Sequence, residues 1–257
     1  LLRLKCIFLS LLLNLTFEGL VFAETIKVVT EELAPYNYTE KGVLTGFCTE
    51  IVQAILKEIN IQGDFQSMPW ARAYDIALKN ENVLIYSIGR TPQREMQFKW
   101  VGPIAHANNY LFALASSHIK ISQLADAKKY QIASVNADIR EQFLESQGFS
   151  KGTNLQSSVK YQHNYEKLKL GRVDLWAMND IAAYHLVRQA GDDPEKILTK
   201  AYKLQLDESR YFIAFSHKTS DKIVDRFNIG LENIKKNGIL NLIKNKWALE
   251  NINLIIN

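Results

Sequence analysis

Residues 83–88, Val-Leu-Ile-Tyr-Ser-Ile, form the kind of apolar run that a strand carries when both of its faces are buried. Such a strand needs helices above and below it, so the chain around it must alternate strand with helix. Residues 26–30 read as a strand, and residues 45–60 as a helix because Phe47, Ile51, Ile55 and Ile59 recur every four positions on one face. Residues 63–68 are a second strand and residues 70–79 a second helix, which completes a βαβαβ unit. After Pro103 the pattern starts again, with strands at 110–115, 130–135 and 173–178 and helices near 139–147 and 165–170. Gly148 and Gly191 fall just past helical segments, where a left-handed cap is wanted. A strand at 210–216 and helices at 220–236 and 239–248, separated by Gly238, close the chain. At 257 residues there is room for two lobes of about 100 residues each.

Several function classes find no support. The 31 basic and 27 acidic residues are scattered, without the basic stripe of a nucleic-acid surface. Lys235, Lys236, Lys244 and Lys246 gather near the C-terminus at helical spacing among Ile and Leu, as on a solvated helix face. The five histidines are dispersed, so no metal site is predicted, and there is no phosphate-cradling glycine loop and no cofactor motif. Residues 148–152 match G-x-S-x-G, but they follow a helix end, whereas a nucleophile elbow follows a strand. In residues 1–23, Arg3 and Lys5 precede an apolar stretch that ends in Val21-Phe22-Ala23, the pattern of an export signal cleaved before Glu24. Cys48 would then be the lone thiol of the mature protein, read as a small buried apolar residue.

The order of elements and seven local strings resemble the bacterial extracellular solute-binding proteins of family 3, the group that includes the polar amino-acid-binding proteins of ABC importers. The strings are Pro35-Tyr36-Asn37-Tyr38, Gly46-Phe47, Pro69-Trp70, Thr91-Pro92-Gln93-Arg94 with Phe98 and Pro103, Gly171-Arg172-Val173-Asp174, residues 211–215, and Asn237-Gly238 with Lys246-Trp247. The resemblance implies a periplasmic-binding-protein-like type II fold, two α/β lobes joined by two crossing hinge strands, with residues 24–105 and 211–257 in lobe 1 and residues 106–210 in lobe 2. It implies a monomer in the periplasm, a small polar solute held between the lobes, an ABC permease as partner, and no catalytic residues.

It also implies a set of ligand-binding residues. Arg94 would meet a carboxylate with two parallel charge-assisted hydrogen bonds. Ser87 and Gly89 end the buried strand beside it; Gly89 stands where Ser or Thr is usual, and Arg90 is an additional cation in the same loop. Trp70 and Tyr36 would wall the pocket, and Glu32 would stand at its rim. From lobe 2 would come Asn136, Asp138 and Asn179. Two of these depart from the amino-acid-binding pattern. Asp138, with Glu141 three residues on, reads as a capping box that occupies the helix-end N–H groups a carboxylate would use. Asn179 stands where an aspartate would pair with a ligand ammonium, with Asp180 one residue away. The same fold also serves soluble sensor components and an enzyme, cyclohexadienyl dehydratase, so these readings stay open beside solute capture.

Overall fold

The computed structural model describes residues 25–206 and 209–248. The expected export signal at residues 1–23 lies outside them. Two five-stranded mixed sheets form two α/β lobes. In the first, β5 (Val83–Gly89) is central and buried along its whole length. β1 (Thr25–Thr30) lies parallel to it on one side, with β4 (Gln62–Ser67) parallel to β1 at the edge. On the other side β12 (Arg210–Ser216) runs antiparallel to β5, followed by β6 (Phe98–His106). A short hairpin of β2 (Tyr38–Glu40) and β3 (Val43–Thr45) leads into α1 (Phe47–Glu58).

The expected periodicity places α1 correctly: Phe47, Ile51 and Ile55 are buried against the sheet. α2 (Trp70–Lys79) buries Trp70, Ala73 and Ala77. α8 (Asp221–Lys236) and α9 (Ile239–Ala248) pack beside α1. At the α1–α8 crossing a Cβ on Gly230 would stand 2.7 Å from Ile59 Cγ2 and 3.0 Å from Ile55 Cγ2, so glycine sets the helix separation. Lys246 pairs with Glu50 at 2.5 Å and Lys235 with Glu232 at 2.7 Å, as a solvated face requires.

The second sheet has β8 (Ile132–Val135), β9 (Leu155–Ser158) and β10 (Leu175–Asn179) parallel, with β7 (Asn109–Leu114) antiparallel to β10 and β11 (Leu198–Lys203) beyond it. α4 (Ile139–Ser146), α5 (Tyr161–Lys169) and α6 (Asp180–Gln189) cover it, and α7 (Pro194–Ile197) leads into β11. Gly148 and Gly191 take φ +80° and +81°, the left-handed caps expected of them. α5 begins at Tyr161, four residues before the expected start, because its N-cap, Lys160, makes no capping hydrogen bond and so carries no sequence signal. The chain passes between the sheets twice, and the two passages hold each other: Ala107 N donates to Ser209 O at 2.8 Å and Leu204 N to Asn109 O at 2.9 Å.

Candidate functional site

The C-terminal end of β5 faces the N-terminal end of α4, and that of β1 faces the N-terminal end of α5. Ser87 is a one-residue bulge in β5, unpaired between the Phe212–Ile88 and Ile213–Tyr86 partners and held at φ +57°. Two residues past Gly89, Thr91 caps the short α3 (Pro92–Glu95), its hydroxyl accepting from Arg94 N at 3.2 Å. That turn folds Arg94 back under the strand end. Arg94 is 1% exposed; Nη1 donates to Gly89 O at 3.0 Å and Nη2 to Ala137 O at 3.2 Å, across the cleft. The guanidinium lies 5.0 Å from the Tyr74 ring and 5.5 Å from the Trp70 ring, and Nε has no partner. Among the described residues no acid pairs with it, since Glu95 is held by Arg90 and Asp138 by Arg140. Burial lowers the pKa of Arg94 below the ordinary arginine value, with Tyr74 and Asp138 opposing the shift.

Gly89 has a local reason. A Cβ there would meet Ile139 Cδ1 at 2.4 Å, so the space that a Ser or Thr side chain would need is filled from lobe 2. Ala137, at φ +59°, presents its carbonyl to both Arg94 Nη2 and Trp70 Nε1, the latter at 2.9 Å. One oxygen of lobe 2 is thus gripped by two side chains of lobe 1. Tyr36 is fully buried; its hydroxyl donates to His106 O at 2.7 Å, and its ring meets Tyr211 edge-on at 5.0 Å.

Asp138 caps α4, but not in the expected capping box. It accepts from Arg140 N at 2.8 Å, while Glu141 reaches past it to Ala137 N at 2.9 Å. Its carboxylate is also held by the Arg140 side chain, Nε at 2.6 Å and Nη2 at 2.5 Å. Asn179 caps α6 through Ala182 N at 2.8 Å and donates to Tyr211 Oη at 3.2 Å, so both ends of the amide are engaged. Asp180 does not replace it, because it pairs with Lys200 at 3.2 Å. Asn136 stands apart: it is exposed, and Lys151 Nζ donates to it at 3.4 Å. Glu32 accepts from Thr39 N at 2.7 Å and from Ser67 Oγ. Arg90 is paired with Glu95 at 2.6 Å and lies over Trp100.

Three residues of this centre were not anticipated. Arg140 is 1% exposed; burial opposes its charge, yet Asp138 foremost, then Tyr161 and Tyr211, hold its pKa well above the ordinary value. Tyr161 reaches from α5 to Asp138 Oδ2 at 2.9 Å and Glu31 Oε1 at 3.0 Å, and receives Arg140 Nη2 at 3.1 Å. Glu31, at the end of β1, is pushed up to about 8 by burial and, secondarily, by Asp138, with Arg140, Tyr161 and Arg94 opposing. A cavity of about 150 Å³ adjoins this centre, lined by Glu31, Glu32, Ser67, Trp70, Lys160 and Tyr161. A larger hollow of about 480 Å³ lies on the other side of α4, but its lining, including Thr91, Gln93, Gln142 and Gln205, carries no acidic or basic side chain. Among the described residues no cluster of His, Cys, Asp or Glu is fit to hold a metal ion. Cys48 is buried and its thiol pushed up to about 12, chiefly by burial, so it is not a nucleophile at neutral pH.

Two mixed α/β lobes, with side chains of both meeting between them, define a periplasmic-binding-protein-like type II fold. Solved structures agree: a histidine kinase sensor domain with similarity to periplasmic binding proteins superposes with a TM-score of 0.78 at 19% identity, covering 88% of this chain and 96% of that one. An ancestral arginine-binding protein bound to arginine gives 0.75 at 21% identity, covering 87% and 97%. The profile of the bacterial extracellular solute-binding proteins, family 3, matches residues 26–250, and the chain belongs to that family. Curated relatives include the arginine-binding periplasmic protein of Mannheimia haemolytica, 26% identical over 92% of this chain and 97% of its own length. The probable amino-acid-binding protein YxeM of Bacillus subtilis is 21% identical over 87% and 83%.

Proposed function

We propose that this protein captures a small polar, carboxylate-bearing solute between its lobes in the periplasm and delivers it to an ABC-type importer. Residues 24–105 with 211–257 move as one lobe and residues 106–210 as the other, and the solute favours the closed state because only there do both lobes touch it. One observation carries the reading: Arg94, a buried cation at the meeting of the lobes, is satisfied by carbonyl oxygens and aromatic faces instead of an acid. A carboxylate that displaced Ala137 O would supply the missing charge through two charge-assisted hydrogen bonds. Family membership and the arginine-binding relative support the same class of guest. The α-ammonium of an amino acid finds less provision, because the Asn179 amide is spent on Ala182 and Tyr211, and Asp138 on Arg140.

The test is a thermal-shift screen of the purified chain against small polar carboxylates, amino acids included, followed by calorimetry on each hit. A hit that Arg94→Ala abolishes supports the reading. Binding that survives Arg94→Ala would remove the carboxylate, and turnover of the bound compound into a product would replace capture by catalysis.

A further inference from the structure

The phenol of Tyr161 has one proton to donate and three polar neighbours to satisfy. Arg140 Nη2, at 3.1 Å, is a donor and takes one of the oxygen lone pairs. Glu31 Oε1 and Asp138 Oδ2, at 3.0 and 2.9 Å, are carboxyl oxygens from opposite lobes. The phenolic proton serves one of them; the other makes a hydrogen bond only if it brings a proton of its own. Asp138 already accepts from Arg140 N, Nε and Nη2, which is the environment of an ionised carboxylate. Glu31 has no salt-bridge partner among the described residues, and Asn37 donates to its backbone oxygen, not to its carboxyl group.

We infer that Glu31, Tyr161 and Asp138 form a proton-sharing clasp across the cleft: Glu31 donates to Tyr161, Tyr161 donates to Asp138, and each closure near neutral pH takes one proton from solvent onto Glu31 while each opening returns it. The groups that face Glu31 set the direction. Burial and Asp138 raise its pKa to about 8, while Arg140 and Tyr161 of lobe 2 and Arg94 of lobe 1 only moderate that rise. Tyr211 of β12 lies within electrostatic reach, and Glu32 and Lys160 line the adjoining cavity. In the open state water reaches Glu31, and its pKa returns to the ordinary 4.5. The closed state therefore binds the proton more tightly. Its advantage is complete below about 4.5, declines as pH rises, and is gone above about 8; in between, the ratio of open to closed molecules grows about tenfold per pH unit.

The experiment uses the unliganded full chain. Carboxyl-carbon NMR of protein labelled at glutamate follows Glu31, assigned by its absence in Glu31→Gln, and small-angle scattering at pH 6 and pH 9 follows opening. The expected result is one glutamate titrating well above the ordinary range, with a radius of gyration that increases at pH 9 in the wild type and not in Glu31→Gln. A Glu31 signal at the ordinary carboxylate value, or scattering that is equal at the two pH values, overturns the clasp. If Glu31→Gln fails to fold, the signal that Tyr161→Phe perturbs assigns Glu31, and the wild-type titration and scattering decide. Neither readout involves a solute, so failure of the binding screen and failure of the clasp are separately visible.

Discussion

Replacing Asp138 by Asn removes one negative charge and turns the Oδ2 acceptor of Arg140 Nη2 and Tyr161 into a donor, while the shape of the side chain stays the same. The amide has the carboxylate's size and still accepts from Arg140 N, so the α4 cap survives. What disappears is the counter-charge of Arg140, which is 1% exposed and grips Asp138 at 2.5 and 2.6 Å. Breaking a buried pair from one side costs about 3–5 kcal/mol, because the charge left behind cannot reach water. At about 2–4 °C per kcal/mol for a protein of this size, the melting temperature should fall by about 6–20 °C, measured by calorimetry at pH 7. Glu31 is the acid placed to take over by ionising, so Asp138→Asn with Glu31→Gln should show the upper end of that range. Asp138→Leu with Arg140→Met, which leaves no charge unpaired, should recover most of the loss. A fall below about 2 °C in both Asn variants would refute the buried pair as a structural element.

Gly89→Ser should weaken solute binding, because its Cβ meets Ile139 of the other lobe when the lobes close; Ile139→Ala should restore binding in calorimetric titrations. Arg94→Met keeps the packing of the stem against Trp70 and Tyr74 and removes a desolvated cation that has no acid partner, so its melting temperature should equal or exceed that of the wild type while binding is lost. Gly230→Ala should cost about 1–3 kcal/mol in denaturant titrations, since Ile55 of α1 and Ile59 at its C-cap leave no room for a methyl group. Cys48 should resist a thiol-reactive dye at pH 8 until the protein is unfolded; reaction in the folded state would contradict a buried thiol pushed up to about 12.

The fold was legible because its signals are repetitive. The β5 run and the four-residue recurrence along α1 each state a burial pattern several times over, and the structure buries those residues except Ile59, which is half-buried just past the helix end. Elements without such redundancy were missed: β9, Leu-Gln-Ser-Ser, is only four residues long, and the β2–β3 hairpin is largely exposed. The candidate site was half legible. Arg94, Trp70, Asp138 and Asn179 do gather where the lobes meet, and Asn136 does not. Arg140 was hidden because residues two apart do not face each other within a helix. Asp138 escapes that rule as the extended N-cap, at φ −70° and ψ 156°, from which its side chain folds back over the first turn. Glu31 was hidden by its neighbour: of two adjacent acids after β1, Glu32 turns to Thr39 and Ser67 while Glu31 turns inward to Tyr161.

With Glu141 paired to Lys151 at 2.8 Å, the remaining buried charges of the cleft connect the clasp to the proposed solute. Arg140 is balanced by Asp138 within the lobe that carries both. Glu31, with its proton affinity raised to about 8, contributes no charge at neutral pH. Arg94 is left as one positive charge with no acid against it among the described residues, held from water when the lobes meet. Desolvating that cation penalises closure in the empty protein, and a guest carrying one negative charge removes the penalty only if it reaches the guanidinium. The same contact that would select the solute would therefore tip the lobes shut, and a neutral guest of equal size, unable to relieve Arg94, should bind without closing them.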